Sequence, residues 1–268
     1  MEQDYWGSRG GMNVSEKGSK VCLSLVLFLF LLPMLATFIA SFVRKNPEGN
    51  SFMISAIQYA EVLRDETMRE RFANSFRLAG QTLLIQFPVS LLGGLFMNRA
   101  PVKVRRLVTL LFLTGLLLPF QTYMVPAYQL SHWSGVYDTH WAVALLYGFS
   151  PFGSLMIAML MQRIPEEQWE AASLDTRSWL CTYRTVVLPQ LLPGLLVFLL
   201  LAFSEIWNSV EQPLILIRDN RLLPAGISLN DIRSMTTGHS AAGAVLYALP
   251  ILVLYLMSGR SIAQVGIQ

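Results

Sequence analysis

Apolar and polar residues are sorted along this chain into long blocks. Val21 to Val43 is an apolar run broken only by Pro33 and a few hydroxyls. Further apolar runs cover Ala79 to Met97, Leu107 to Leu130, Trp141 to Met161, Gly194 to Ile217 and Ser240 to Gly259. A helix needs about 20 such residues to cross the hydrocarbon core of a bilayer. The pattern therefore predicts an all-α integral membrane protein with six transmembrane helices. The first run is too long for the core of a cleaved leader and lacks a small-residue cleavage site, so it reads as a retained span after a tail of residues 1–20. Three polar stretches separate the runs. Arg44 to Arg71 contains "EVLRDETMRER", expected to form a short solvated or interface-lying helix. Gln162 to Pro193 is polar and helix-patterned, and "RDNRLLPAGISLNDIRSMTTGH" is expected to be a polar loop before the last span.

Composition strengthens the membrane reading and removes other classes. Charged residues are 14% of the chain and the mean hydropathy is +0.47, whereas soluble domains carry roughly a quarter charged residues. The net charge of +3 comes without a basic cluster interleaved with aromatics, which argues against nucleic acid as a partner. Cys22 and Cys181 match no disulfide or metal spacing, and no HExxH or CxxC pattern occurs. No catalytic or metal site is expected.

Charge also orients the spans. Arg99, Lys103, Arg105 and Arg106 form the densest basic patch, which places the loop between spans two and three in the cytoplasm. Six spans then leave both termini cytoplasmic, together with the loop that holds Glu170. Tyr123, Tyr128, Trp133, Tyr137 and Trp141 cluster on the outer side as an interfacial aromatic belt would.

The polar segment between spans four and five carries the strongest pattern. Pro165 suits a helix start, and Glu166 and Glu167 suit the positive end of the helix dipole. Trp169, Ala172 and Ser173 share one face of that helix. Asp175 is a candidate N-cap for a second helix, in which Trp179, Tyr183, Val186 and Val187 recur at helical spacing. Leu188-Pro189 and Pro193 are expected to close the segment. Two short helices joined by a turn make a docking knob for a partner's groove, with small Ala171 and Ala172 allowing close approach and Glu170 at the rim.

These residues resemble a known family. "EAASLD" from Glu170, followed twelve residues later by Leu188-Pro189, is similar to the cytoplasmic loop of ATP-binding-cassette importer permeases, written EAA, then Asp-Gly, then Leu-Pro. Asp175, five residues after Glu170, resembles the maltose-type sugar branch, where the polyamine-type branch shows Leu-Gly. "IPEEQWEAA", "WNSVEQPLIL", "LLPAGISL" and Asn74-Ser75 agree with it. The resemblance covers roughly residues 72–268 and implies a permease domain of the type I importer fold with a coupling loop at 163–193. It further implies a second permease subunit, two ATPase subunits that bind ATP and Mg, an extracellular solute-binding protein, and a bacterial cytoplasmic membrane. Glu170, Ala171, Ala172, Asp175, Thr176, Leu188 and Pro189 become the coupling residues. Thr176 departs from the family, because it replaces a glycine whose positive φ is costly for a β-branched residue. No GxxxxGK[ST] loop occurs, so ATP hydrolysis is assigned to separate subunits and this chain holds no cofactor.

Span five adds a second set. Glu205, Asn208, Ser209 and Gln212 stand at i, i+3, i+4 and i+7 and would share one helical face near mid-membrane. A carboxylate at that depth turns to a cavity or a partner. Two readings stay open: a solute path, with Trp207 stacking on a sugar and Asn74 and Gln121 also facing the pore, or polar contacts with the second permease. A non-sugar solute of the glycerol phosphodiester or polyamine type is the alternative cargo. A membrane-embedded enzyme is the rival class, but Glu205 has no acid, His or Lys partner within its own span. Pro119, Pro126 and Pro213 are taken as structural kinks, and His132, Asp138 and His140 as members of a solvated outer loop.

Overall fold

A computed structural model describes residues 13–45, 52–175, 178–230 and 237–267. Thr176 and the first twelve residues lie outside the described residues. The described residues form two compact units: one gathers those up to 62 together with 237–246, the other those from 63 to 230 together with 247–267.

In the first unit, α1 (Asn13–Ala40) starts well inside the stretch read as a tail. Its apolar section is fully exposed on this chain, with large side chains such as Leu23 and Phe30 about 70% accessible. Val43, expected to end the first span, instead opens a small antiparallel hairpin, β1 (Val43–Lys45) and β2 (Phe52–Ile54), with Val43 opposite Ile54. The Ser41 and Tyr59 hydroxyls lie 2.6 Å apart, and Arg44 meets Glu61 at 3.0 Å. The segment "EVLRDETMRER", expected as one short helix, is instead divided at Asp65 between a short helix, α2 (Ile57–Arg64), and the start of a long one, α3 (Glu66–Arg99).

The second unit is built on α3 (Glu66–Arg99), whose 34 residues make it about 51 Å long. It begins 13 residues before the expected second span, because Asp65 caps it by accepting from the Met68 amide at 3.1 Å. Ser75, Ala79, Thr82, Gln86, Ser90, Gly94 and Met97 are its buried stripe. This stripe packs against α6 (His140–Gly148) and α7 (Pro151–Met161), which together make the fourth span. Small residues let the backbones approach closely. A Cβ on Gly153 would collide with Ser90 and Phe198, and one on Gly94 with Ile157.

The third expected span is not one rod. It comprises α4 (Val102–Leu117) and α5 (Phe120–Trp133), bent by 96° at the break. Leu118 precedes Pro119 and is held extended, and Pro119 offers no N–H to continue the helix. Five helices among the described residues are long and apolar enough to cross a membrane, six spans if the bent pair counts as one. α13 (Thr237–Ile267) is the last.

Span five also breaks. α10 (Leu188–Trp207) stops where Asn208 donates its side-chain amide to the Ser204 carbonyl at 2.8 Å and Ser209 donates to the Ile206 carbonyl at 2.7 Å. Such side-chain bonds compete with the helical ladder. The chain resumes as α11 (Glu211–Leu216). The polar loop that follows is stitched down rather than loose. Asn74 donates to the carbonyls of Arg221 (2.6 Å) and Leu223 (3.3 Å), and Ser75 accepts from the Ala225 amide at 2.9 Å. His140 meets the Leu222 carbonyl at 2.7 Å. The Asp138 carboxylate accepts the amides of Arg218 and Asp219 at 2.7 and 2.8 Å. The loop then forms α12 (Ala225–Asn230). The outer loop of His132, Asp138 and His140 is therefore a clasp: His140 is 8% exposed, and His132 stacks on Tyr137 with ring centroids 3.8 Å apart.

Candidate functional site

The coupling segment folds as α8 (Glu166–Asp175), then α9 (Trp179–Thr182) running through a π turn at Tyr183–Val187 into α10. Asp175 ends α8, so it is not the cap of α9, which starts four residues later. Leu188 and Pro189 begin the long α10 instead of closing the segment, and the membrane-length helix starts at Tyr183. The Leu188 amide bonds back to Tyr183, five residues earlier. This wider winding sits just before Pro189, which has no N–H for the Thr185 carbonyl. It shifts the register of Tyr183, Val186 and Val187 that a plain 3.6-residue period implied.

α8 is docked on the rest of the unit around the Tyr183 ring. Tyr183 is 9% exposed and sits in a cluster with Ile157, Met161, Ile164, Val187 and Leu191, against which Trp169 packs. The Trp169 and Tyr183 rings meet edge-on at 5.4 Å. Arg99, the last residue of α3, lies 5.4 Å over the Tyr183 ring and donates Nε to its hydroxyl at 3.2 Å. Gln190 on α10 donates to Gln168 on α8 at 2.5 Å. With the Trp169 edge held inward, Glu170 and Ala171 lie on the exposed surface, as do Leu188 and Pro189. Ala172 and Asp175 are placed on α8 by its backbone.

The residues expected along a solute path separate into two groups. Trp207 presents no face to a solute, because it is 0% exposed. It is boxed by Phe76 (4.8 Å), Phe203 (5.3 Å) and Tyr247 (5.5 Å), and its indole N–H donates to the Tyr247 carbonyl. The Tyr247 hydroxyl in turn donates to the Trp207 carbonyl. Asn74 is also buried, with its amide engaged by the stitched loop, and Ser209 is buried with its hydroxyl turned to its own helix. The sequence pattern assumed one unbroken helix face, and the break at Asn208 removes that face.

Glu205 and Asn208 remain exposed, Gln212 is half-buried, and exposed Gln121 donates to Glu211 at 2.7 Å. Glu211 is a ledge residue that the i, i+3, i+4, i+7 reading passed over. Its signal was available in the two acids of "SEIWNSVEQP", six residues apart within the fifth apolar run. No Lys or Arg forms an ion pair with Glu205 or Glu211 among the described residues. The end of α10 opposite the coupling segment and the turn into α11 therefore carry Glu205, Asn208, Glu211 and Gln212, with Gln121 bonded to Glu211.

A helical knob at one end and a polar ledge at the other fit a transport subunit, and the comparison with known proteins is decisive. Residues 90–263 match the family described as binding-protein-dependent transport system inner membrane component. The chain belongs to that family. Among its relatives is the probable ABC transporter permease protein YurM of Bacillus subtilis (strain 168), 30% identical over 191 residues, which are 69% of this chain and 64% of YurM. The chain thus spans slightly less than two thirds of that relative. The maltodextrin transport system permease protein MdxG of the same organism is 26% identical over 251 residues, covering 88% of this chain and 90% of MdxG. Among solved structures, a bacterial ABC transporter involved in the import of the acidic polysaccharide alginate superposes with a TM-score of 0.77 at 16% identity, over 92% of this chain and 96% of that one. That likeness establishes the fold. The permease is a multi-pass membrane component of an ABC importer, with a helical coupling loop between its fourth and fifth spans.

Proposed function

We propose that this permease serves an ATP-driven importer of a neutral, hydroxyl-rich solute of the sugar or oligosaccharide class. It pairs with a second permease, receives solute from an extracellular binding protein, and is driven by two ATPase subunits that hold ATP and Mg. It lies in a bacterial cytoplasmic membrane with both termini on the cytoplasmic side. The observation that carries this reading is the mechanical continuity of the coupling segment. From Trp179 to Trp207 the chain winds without interruption for roughly 40 Å. α8 is clamped near one end of that rod by Trp169, Tyr183 and Arg99, and Glu205 and Asn208 stand at the other.

Closure of an ATPase dimer around Glu170, Ala171, Ala172 and Asp175 would move α8. The Tyr183 clamp passes that displacement to α10 and to the ledge, where it changes the side from which solute is reached. The chain supplies positioning and a path, and the ATPase subunits supply the chemistry. The ledge favours a hydroxyl-rich solute: carboxylates and amides pair with hydroxyls, and two acids without a Lys or Arg ion pair among the described residues disfavour a phosphodiester or other anion. Relatives named for maltodextrin and for melibiose, raffinose and stachyose support the same class.

The test is uptake into proteoliposomes holding the permease pair, the ATPases and the binding protein, with labelled maltodextrins and glycerol phosphodiesters compared. ATP-dependent uptake of the maltodextrins, abolished by Glu170→Lys while the permease pair stays assembled, is expected. Uptake without an ATPase, or full uptake with Glu170→Lys, would remove the proposal.

A further inference from the structure

Beside the coupling segment lies a pocket that the transport reading does not use. It has a volume of about 640 Å³ and is lined by Asn98, Arg99, Arg105, Gln162, Arg163 and Trp169, among others. Arg99, Arg105 and Arg163 line it, and among the described residues that line it none is Asp or Glu. The pocket sits where α3 and α7 end and α4 begins, the level at which spans meet headgroups. A groove of about 810 Å³ adjoins it and shares Arg105 and Gln162 with it. Leu110, Leu113, Phe152, Leu155 and Met159 make that groove apolar along α4 and α7.

We infer that this pair of cavities is a binding site for one anionic phospholipid, with the phosphodiester among the arginines and an acyl chain in the groove. Charge complementarity selects the headgroup, because a basic pocket between spans at the membrane surface attracts anionic lipid. The groove selects a lipid over a free phosphate, since inorganic phosphate would leave the apolar part unused. The guanidinium of Arg99 is held in place by Tyr183, so part of the cradle is preorganised before lipid arrives. Trp169 lines the pocket and docks α8, so an occupied site braces the coupling helix against the end of α3.

The test is native mass spectrometry of the full chain, purified with its membrane partners in mild detergent and offered equal phosphatidylglycerol and phosphatidylcholine. One phosphatidylglycerol per chain is expected to be retained at least tenfold over phosphatidylcholine. Arg105→Gln is expected to lower that retention about tenfold, and Leu113→Trp, which fills the groove, to lower it comparably. The wild-type competition stands even if a variant fails to assemble. Equal retention of the two lipids, or unchanged retention in Arg105→Gln, would overturn the site. Displacement of phosphatidylglycerol by millimolar inorganic phosphate would show a simple anion site and overturn the lipid assignment.

Discussion

Removing the Tyr183 ring should release α8 from the permease. α8 has 10 residues, and isolated helices shorter than about 12–15 residues are marginal in water, so its order depends on docking. The edge-on pair with Trp169 is worth about 0.5–1.5 kcal/mol. The Arg99 cation over the ring adds about 0.5–1 kcal/mol at a partly exposed site. The Arg99 hydrogen bond belongs near about 1 kcal/mol once the partial exposure of Arg99 is allowed for. Tyr183→Phe keeps both ring contacts and loses only the last, about 1 kcal/mol. Tyr183→Ala loses all three, about 3 kcal/mol, and leaves a gap in the cluster around Val187 and Leu191. Only the Trp169 contact joins α8 to the ring, so with about 1.4 kcal/mol per tenfold opening of α8 should stay near wild type in the first variant and rise roughly tenfold in the second. Amide hydrogen exchange over residues 166–175 reads this directly, because exchange follows local opening. The middle of α3 serves as an internal reference. If exchange over 166–175 in Tyr183→Ala matches wild type, the ring is not what holds α8.

Glycine substitutions should separate close packing from open surface: Gly153→Val, forced against Ser90 and Phe198, should lower thermal stability in detergent by about 1–3 kcal/mol or prevent assembly. Gly80→Ala, with nothing within 4 Å inside α3, should raise it by about 0.5–1 kcal/mol. Asp138 has φ 61° and its carboxylate accepts two amides, so Asp138→Gly tolerates the backbone but loses the acceptor. Exchange at the Arg218 and Asp219 amides should rise in that variant by the cost of two lost partners, about 1–3 kcal/mol, and less in Asp138→Asn, which keeps an acceptor. Equal exchange in the two variants would show that the carboxylate does not hold the loop. In the proteoliposome assay, Glu205→Gln and Glu211→Gln should raise the solute concentration needed for half-maximal uptake several-fold without changing ATPase assembly, whereas unchanged uptake by the double variant would remove both from the path.

Much of this permease was legible before its fold. Long apolar blocks can only be satisfied as helices in a bilayer, because an unbonded backbone group in hydrocarbon is too costly. The span count and the helical class therefore follow from local composition. The first helix of the segment between spans four and five was legible for a related reason, since Pro165 and the acids after it mark the start of α8. Helix breaks were harder to place. Pro119 marked a kink in the sequence, but not that the two halves would diverge by 96°.

What only the tertiary structure decided was the use to which each polar side chain is put. Trp207 and Asn74 carry residue types suited to a sugar path. One is enclosed by Phe76, Phe203 and Tyr247, and the other holds the carbonyls of Arg221 and Leu223, 147 and 149 residues away. His140 and Asp138 read as solvated loop residues and are the anchors of that same loop. A helix reports its own periodicity through neighbours three and four residues apart, and so the sequence by itself determined which segments cross the membrane. Burial and hydrogen bonding depend on partners brought from distant segments. The fold alone therefore left Glu205, Asn208 and Glu211 at the surface and took Trp207, Asn74 and Ser209 out of reach.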